Sequence, residues 1–425
     1  MLALLLIAGI GAAPQSVSFA EVVDRAMAQS KLTAPDSPPF YIKAHIEEQD
    51  SPGTDIKADL DFYWAAPNKW RLVISNNEDF GQVRIVNGDK TFEKNTGDYY
   101  PAWLRNMVRG FTDPFRAVDG WKRANGQMQK PMGGENSTFC ARMQTVIGVA
   151  PAQNTAFHEI CFEGSRGLLE AVFTTDLSLE FHDYKSFRNK RVPHLLVDHP
   201  ESGDEIRGTI TELKELKQVD GSLFAISDES TSGQELISVP VAEAAFRKMA
   251  LDPIEIEWPS VRDGKTKGMV SIYLWVDRAG AVREVHSMNS DNPEISDAAI
   301  TAAKKMRFKP AVSKGQQVQV ESTLTFAFET KVENAVVILP DAEARKLATG
   351  IVDPQFPPTA KSGTMVTIRV TVDTEGKLLG AGNPGNAPNE LFGPAYFAVT
   401  KWHFQPYLKD GKPDVYHGDI IFRVP

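Results

Sequence analysis

Val276-Asp277-Arg278-Ala279-Gly280 recurs 96 residues later as Val372-Asp373-Thr374-Glu375-Gly376. Phe308-Lys309-Pro310 returns as Phe404-Gln405-Pro406 at the same offset, as do Gly315 with Gly411 and Phe326 with Phe422. Upstream, Arg247-Lys248-Met249-Ala250 answers Arg345-Lys346-Leu347-Ala348, and Trp258-Pro259 answers Phe356-Pro357, both at an offset of 98. A two-residue length change therefore falls between Pro259 and Met269. One offset held through several residue types marks the duplication of a whole small domain, since the period is too long for a solenoid unit.

Each copy reads alike. A short helix (Ala242 to Met249; Asp341 to Ala348) leads into a proline-marked segment. Met269 to Val276 alternates with its even positions apolar, the pattern of a strand with one buried face. Asp277 to Gly280 has the length and terminal glycine of a hairpin loop. A returning strand, Ala281 to Ser287, precedes Asn292-Pro293-Glu294, where Asn292 can cap a helix and Pro293 suits its first position. Ile295, Ala299, Ala302 and Met306 then fall on one helical face, Phe308 to Pro310 ends the helix, and Val318 to Phe328 forms the last strand. The order is α-β-β-α-β. In copy two, Gly393-Pro394 interrupts the corresponding helix, which is expected to kink or to start at Pro394, with Leu391, Ala395, Ala398 and Trp402 keeping the apolar face.

The hairpin residues Asp277, Gly280, Asp373 and Gly376, the helix ends Phe308, Pro310, Phe404 and Pro406, and the closing strands resemble the TonB C-terminal domain family. The resemblance covers residues 236–330 and 333–425. It implies periplasmic modules that recognise an extended peptide of an envelope partner, such as an outer-membrane transporter, by adding it to a sheet edge. Val318, Val320, Thr323 and Thr325 are the candidate edge positions in copy one, and Val415 to Val424 the counterpart in copy two. The alternative is that these edges are covered within the protein. A TonB protein also has a membrane anchor and a Pro-rich spacer. The apolar run here is short and no such spacer joins it to the repeats, so energy transduction by this chain alone is not expected.

That run is Met1 to Ile10, followed by Gly11-Ala12-Ala13-Pro14. It is far shorter than a membrane span and suits a secretory signal within residues 1–20, although no Lys or Arg precedes it. Ser18-Phe19-Ala20 offers a small-x-small cleavage site, and the alternative is a buried N-terminal element. A periplasmic or secreted location is expected, in preference to anchoring by an uncleaved signal. Cys140 and Cys161, the only cysteines, lie in segments that both read as strands. In an oxidising compartment they would pair, contributing about 3 kcal/mol by loop entropy. In the cytosol they would remain two buried thiols.

Residues 36–231 read as an antiparallel β unit, with strands at Phe40 to Ile46, Ile56 to Trp64, Trp70 to Ser75 and Gln82 to Val86, and more from Thr138 to Ile226. Pro101 to Val118 reads as a helix bent at Pro114. Phrases such as Ala66-Pro67-Asn68-Lys69-Trp70-Arg71 and Val86-Asn87-Gly88-Asp89-Lys90-Thr91-Phe92 resemble the LolA/LolB/RseB-like exported proteins. That resemblance implies a curved antiparallel half-barrel around a helix, whose concave face can hold an acyl chain or lipid. A fully packed core reads the same way. The expected fold class is α+β: this half-barrel followed by two small α-β-β-α-β domains.

The chain of 425 residues carries 46 basic and 55 acidic side chains. Both repeats are nearly neutral (twelve basic and thirteen acidic in 235–330, ten of each in 331–425), so -8 of the net -9 lies in residues 1–234. No basic stripe supports nucleic-acid binding. Asp263-Gly264-Lys265-Thr266 lacks the first glycine of a phosphate loop, His194 and His199 lack metalloprotease spacing, and no G-x-S-x-G elbow occurs. No catalytic residue, metal site or cofactor is expected. The function classes left are an envelope scaffold that binds a peptide or protein through the repeats, and a lipid or lipoprotein carrier with the repeats as docking modules.

Overall fold

Alternation of apolar and polar residues builds most of the N-terminal half. The computed structural model describes residues 18–48, 57–76, 80–115, 118, 127–129, 138–149, 152–164, 166–174, 177–199, 205–226 and 238–425. Met1 to Pro14, and with it the signal-peptide reading, lies outside the described residues. Two compact units emerge: the described parts of Met1–Pro259 with Lys267–Glu329, and Ser260–Thr266 with Thr330–Pro425.

The larger sheet of the first unit is antiparallel throughout. Its strands are β1 (Phe40–Glu48), β2 (Lys57–Ala66), β3 (Lys69–Asn76), β4 (Gly81–Asn87), β5 (Lys90–Thr96), β6 (Gln127–Gln129), β7 (Thr138–Val149), β8 (Ala152–Glu163), β9 (Leu169–Thr174), β10 (Leu177–Phe187), β11 (Lys190–Asp198) and β12 (Ile206–Glu215). Their spatial order is β5-β4-β3-β2-β1-β12-β11-β10-β9-β8-β7-β6. Ala58, Leu60, Phe62 and Trp64 of β2 show the period of two, all buried on one face. Against that core pack two helices, α1 (Phe19–Ser30) and α2 (Ala102–Thr112). The second helix ends at Thr112, ahead of a turn at Pro114 and Phe115, and Val118 is helical again. Ser18 caps α1 through a capping box with Glu21, and Phe19 packs edge-on against Phe162 at 6.1 Å. Phe19 is thus folded into the core, so cleavage after Ala20 would remove a core residue. In the β7–β8 ladder Cys140 stands opposite Cys161, with Cα atoms 4.1 Å apart, and the two form a disulfide.

The first unit also holds copy one: β13 (Ser238–Pro240), α3 (Glu243–Arg247), β14 (Lys267–Val276), β15 (Val282–Ser290), α4 (Ser296–Lys305), β16 (Ala311–Ser313) and β17 (Gln316–Glu329). The second unit holds copy two: β18 (Val337–Leu339), α5 (Asp341–Lys346), β19 (Ala348–Thr349), β20 (Met365–Val372), β21 (Leu378–Gly382), α6 (Asn389–Val399), β22 (His403–Phe404), β23 (Tyr407–Lys409), β24 (Lys412–Asp414) and β25 (Tyr416–Arg423). The sheet orders match, β13-β17-β14-β15 and β18-β25-β20-β21. Registers match as well: Trp275 faces Glu321 as Thr371 faces His417.

The repeated motif has a physical explanation. Asp277 Oδ1 accepts from the Ala279 and Ala281 amides at 3.0 and 2.9 Å, and Asp373 Oδ1 from those of Glu375 and Lys377 at 2.9 and 2.8 Å. Gly280 and Gly376 take φ of 89° and 86°. Phe308 donates its amide to the Gly280 carbonyl at 2.9 Å, and Lys309 donates to Met249 at 2.7 Å, as Gln405 does to Leu347 at 2.8 Å. One short segment thereby ties hairpin, long helix and leading helix together. Helix α4 starts on a 3-10 turn (Pro293–Ile295) capped by Asn292, so Ala303 rather than Ala302 faces the core beside Ala299. Helix α6 begins at Asn389 and runs through Pro394, so it does not start there. The proline, at mid-helix, forfeits one intrahelical bond, and Leu391, Ala395, Ala398 and Trp402 are buried as read.

A Cβ on Gly280 would sit 1.9 Å from the Phe308 carbonyl oxygen, and one on Gly376 2.4 Å from that of Phe404, whereas Gly411 (φ 79°) has open space. Gly280→Ala and Gly376→Ala should therefore each destabilise the protein by about 2 kcal/mol or more, and Gly411→Ala by about 1, as measured by urea midpoints. Equal costs at all three positions would show that the stitch to the F-x-P segment does not matter.

Candidate functional site

The outer face of the copy-one sheet was expected to be solvated. Instead β14 buries both faces: Ser271, Tyr273 and Trp275 are as enclosed as Val270, Ile272 and Leu274. The reason is that this face packs on the N-terminal sheet unit, where Tyr99 and Ala102 join Tyr273 and Trp275 in one apolar cluster. Glu284 of β15 organises the contact. Its carboxylate accepts from the Tyr99 hydroxyl and, at 2.6 Å, from the Ala102 amide in the first turn of α2. Helix α2 has Pro101 at its N-cap and no side-chain cap of its own, so a residue of copy one supplies the charge its dipole favours. Burial raises the Glu284 carboxyl, and the Tyr99, Ala102 and Arg105 contacts oppose that rise.

Two further bridges flank it. Arg105 Nη2 donates to Glu321 Oε2 at 2.8 Å, an oxygen that also accepts from Trp275 Nε1 at 2.8 Å and Ser238 Oγ at 2.7 Å. Gln319 exchanges hydrogen bonds with the backbone of Tyr100, donating at 3.1 Å and accepting at 3.0 Å. Such buried polar groups are worth their burial only when fully partnered.

The candidate edge strand is closed. Val318 pairs with Ala311 of β16, and Val320 pairs in parallel with Val239 of β13. The Thr325 amide donates to Glu243 Oε1 at 2.8 Å, and its carbonyl accepts from Arg247 at 2.6 Å. Thr323 lies between, its hydroxyl 3.7 Å from the Met288 sulfur. Copy two repeats the device: β18 pairs with β25, and Asp341 and Arg345 hold the amide and carbonyl of Ile421, each at 2.8 Å. An acid and an arginine one helical turn apart thus take the place of a neighbouring strand. A peptide adding to either edge has to displace both the short parallel strand and this clamp.

The positions of copy two that match the docking face carry different chemistry. Arg369 and Thr371 stand where copy one has Tyr273 and Trp275, and Gly380 stands where it has Glu284. Arg369 is held bidentate by Asp419 at 2.7 and 2.8 Å, and His417 bonds to Thr371 at 3.0 Å and to Asp263 at 2.8 Å. That face satisfies its polar groups within its own unit.

Beside the docking contact lies a cavity of about 530 Å³ between α2 and β2–β5. Its apolar side is Phe62, Trp64, Trp70, Leu72 and Val108, and its charged side includes Lys31, Arg84, Arg105, Arg109, Glu93 and Asp113. Arg84 stacks 5.5 Å from the Trp70 ring centroid. Copy one contributes Ser238 to the wall. Sequence spacing does not show the cavity, because four cations on three separate elements meet only in the fold. Glu159 lies beside Cys140 and Cys161, but sulfurs joined in a disulfide offer no thiolate to a metal.

Residues 258–330 match the family model of the Gram-negative bacterial TonB protein C-terminal, so copy one carries a TonB C-terminal-like domain, and copy two lies outside the match. No curated protein matches the chain. Among solved structures, a LolA superfamily protein of Nitrosomonas europaea is 8% identical, with 50% of this chain and 99% of that one covered and a TM-score of 0.29. An outer membrane lipoprotein-sorting protein domain of Vibrio parahaemolyticus is 10% identical, with 48% and 95% covered and a TM-score of 0.26. Among the described residues no helix is long and apolar enough to cross a membrane.

Asp198, at the end of β11, sits within the field of Glu284. Burial first, and then that charge, push its carboxyl up to about 7, against the hydrogen bonds from Asn106 and the His199 amide, and its Oδ1 meets no donor. The folded protein therefore binds this proton more tightly than the unfolded chain, whose Asp titrates near about 3.9. The resulting stability is full below about pH 4 and is lost as pH rises to about 7. Asp198→Asn should flatten that loss and, above about pH 7, stabilise the protein by roughly 2–4 kcal/mol, read from urea midpoints across the range. An unchanged pH slope would remove Asp198 as its source.

Proposed function

We propose that the protein is a non-catalytic, envelope-associated binding protein that holds an amphipathic ligand in the cavity between α2 and β2–β5. The TonB-like copy one is then a fixed wall of the binding unit rather than a free docking module. The observation that carries this reading is the cavity itself. At about 530 Å³ it falls within the range of small-molecule sites, and it combines a buried aromatic side with a few convergent polar groups.

Supporting the envelope location are the TonB C-terminal match at 258–330 and the Cys140–Cys161 disulfide, a bond that persists in oxidising compartments. Export by the apolar run at Met1 to Ile10 would complete the picture. Copy two, with the same strand order, is read as the second TonB-like domain and the one whose outer face remains for an envelope partner. Capture of an extended peptide, including one from an outer-membrane transporter, by the terminal strands ranks behind ligand carriage, because in both copies those edges are already paired and clamped.

Thr112 lines the cavity at the end of α2 and is only half-buried, so a larger side chain there fills the space with little disturbance of the core. Titrating the full chain with a fluorescent single-chain amphiphile should give saturable binding, weakened about tenfold or more by Thr112→Trp while far-ultraviolet circular dichroism stays unchanged. Equal binding by the folded variant would place the ligand elsewhere and refute the cavity reading.

A further inference from the structure

Charge on the cavity wall is unbalanced. Lys31, Arg84, Arg105 and Arg109 face Glu93 and Asp113, four cations to two carboxylates. Asp113 lies 3.6 Å from Lys31, and Glu93 accepts from Gln82 Nε2 and Asn95 Nδ2, both at 3.0 Å. Arg84 Nε stands 3.5 Å from Glu93 Oε2 without the geometry of a hydrogen bond. Arg105 gives one nitrogen to Glu321, but its Nε–H, like that of Arg84, is buried with no acceptor among the described residues. A guanidinium N–H closed off from water is costly to leave unpaired. These groups gather at one point, since Arg105, Arg109, Glu93 and Arg84 are the charges acting on the buried Tyr100 hydroxyl.

Resting on the cavity reading above, we propose that the ligand is a single-chain amphiphile with an anionic head, a carboxylate or a phosphate monoester. Its oxygens accept from Arg84 and Arg105, and its chain lies along Phe62, Trp64, Trp70 and Leu72. Arginine is suited to this because its planar fork meets two oxygens of one head group and its face stacks on an aromatic ring, as Arg84 does on Trp70. An uncharged chain would leave the excess positive charge of this wall without a counter-charge. A bare anion would leave the aromatic side in water. Because Arg105 also bonds Glu321, the head group would sit directly behind the contact that holds copy one in place.

Calorimetric titration of the full chain with myristate, a lysophosphatidate of the same chain, myristyl alcohol and inorganic phosphate alone separates the alternatives. Both anionic amphiphiles should bind about tenfold or more tightly than the alcohol, and phosphate alone should give no measurable binding. Arg84→Gln should bring the anionic amphiphiles down towards the alcohol while the alcohol is unaffected; Arg84→Lys, which keeps the charge but loses the planar fork, should give a smaller drop of the same kind if that variant folds poorly. Equal affinity for myristate and alcohol would overturn the head-group assignment and leave the cavity reading standing. Phosphate alone binding as tightly as lysophosphatidate would overturn the amphiphile. Failure of every chain-bearing probe to bind would end both readings.

Discussion

The Glu284 carboxylate at the start of α2 is the contact on which the rest of the first unit depends. A helix opening with Pro101 has unmet N–H groups and no side-chain cap of its own, and in a buried position those groups need an anion. Glu284 provides it from another module, while Tyr99 and Ala102 close around Trp275 and Tyr273. Removing the carboxylate would leave the Ala102 amide and the Tyr99 hydroxyl both buried and unpaired, at about 1–3 kcal/mol each. The acid is itself costly to bury, which is why its carboxyl is raised and why Asp198, within its field, is raised as well.

Duplication kept the scaffold and released the surfaces. The Asp and Gly of the hairpin, the Phe tied to it and the acid–arginine clamp are common to both copies, because each satisfies backbone groups that any domain of this topology must pair. The outer sheet face is under no such demand. In copy one it carries Tyr273, Trp275, Glu321 and Glu284 and is covered. In copy two the corresponding Arg369, Thr371 and His417 pair with Asp419 and Asp263 within their own unit, with glycine in place of the acid. Two repeats of one strand order thus differ in what their outer faces meet.

Much of this was legible in the sequence where periodicity and spacing are local. The duplicated element order, the Asn292 cap and the Asp–Gly hairpins all followed from neighbouring residues or a constant offset, whereas the pairing of Cys140 with Cys161 was expected only for an oxidising compartment. What was not legible depends on surfaces meeting. Alternation in β14 revealed one buried face, but Trp275 and Tyr273 on the other gave the only hint of docking, and aromatic side chains also occur exposed. The clamp residues Glu243 and Arg247 read as an ordinary helical pair. Ser18 and Glu21 did carry a capping-box signal that identifies α1, which a small-x-small cleavage pattern over the same residues obscured. The cavity needed Lys31, Arg84 and Arg105 from three elements, and no spacing rule connects them.

The central claim is that copy one and the N-terminal sheet form a single cooperative body joined through Glu284. Native-state hydrogen exchange across a urea series on the full chain tests it most directly. Amides of β14 and β17 should share one opening free energy with those of β1 to β3, and the Ala102 amide should be protected along with them. If β14 and β17 exchange through a lower-energy opening of their own while β1 to β3 stay protected, copy one is an independent domain and the account is contradicted.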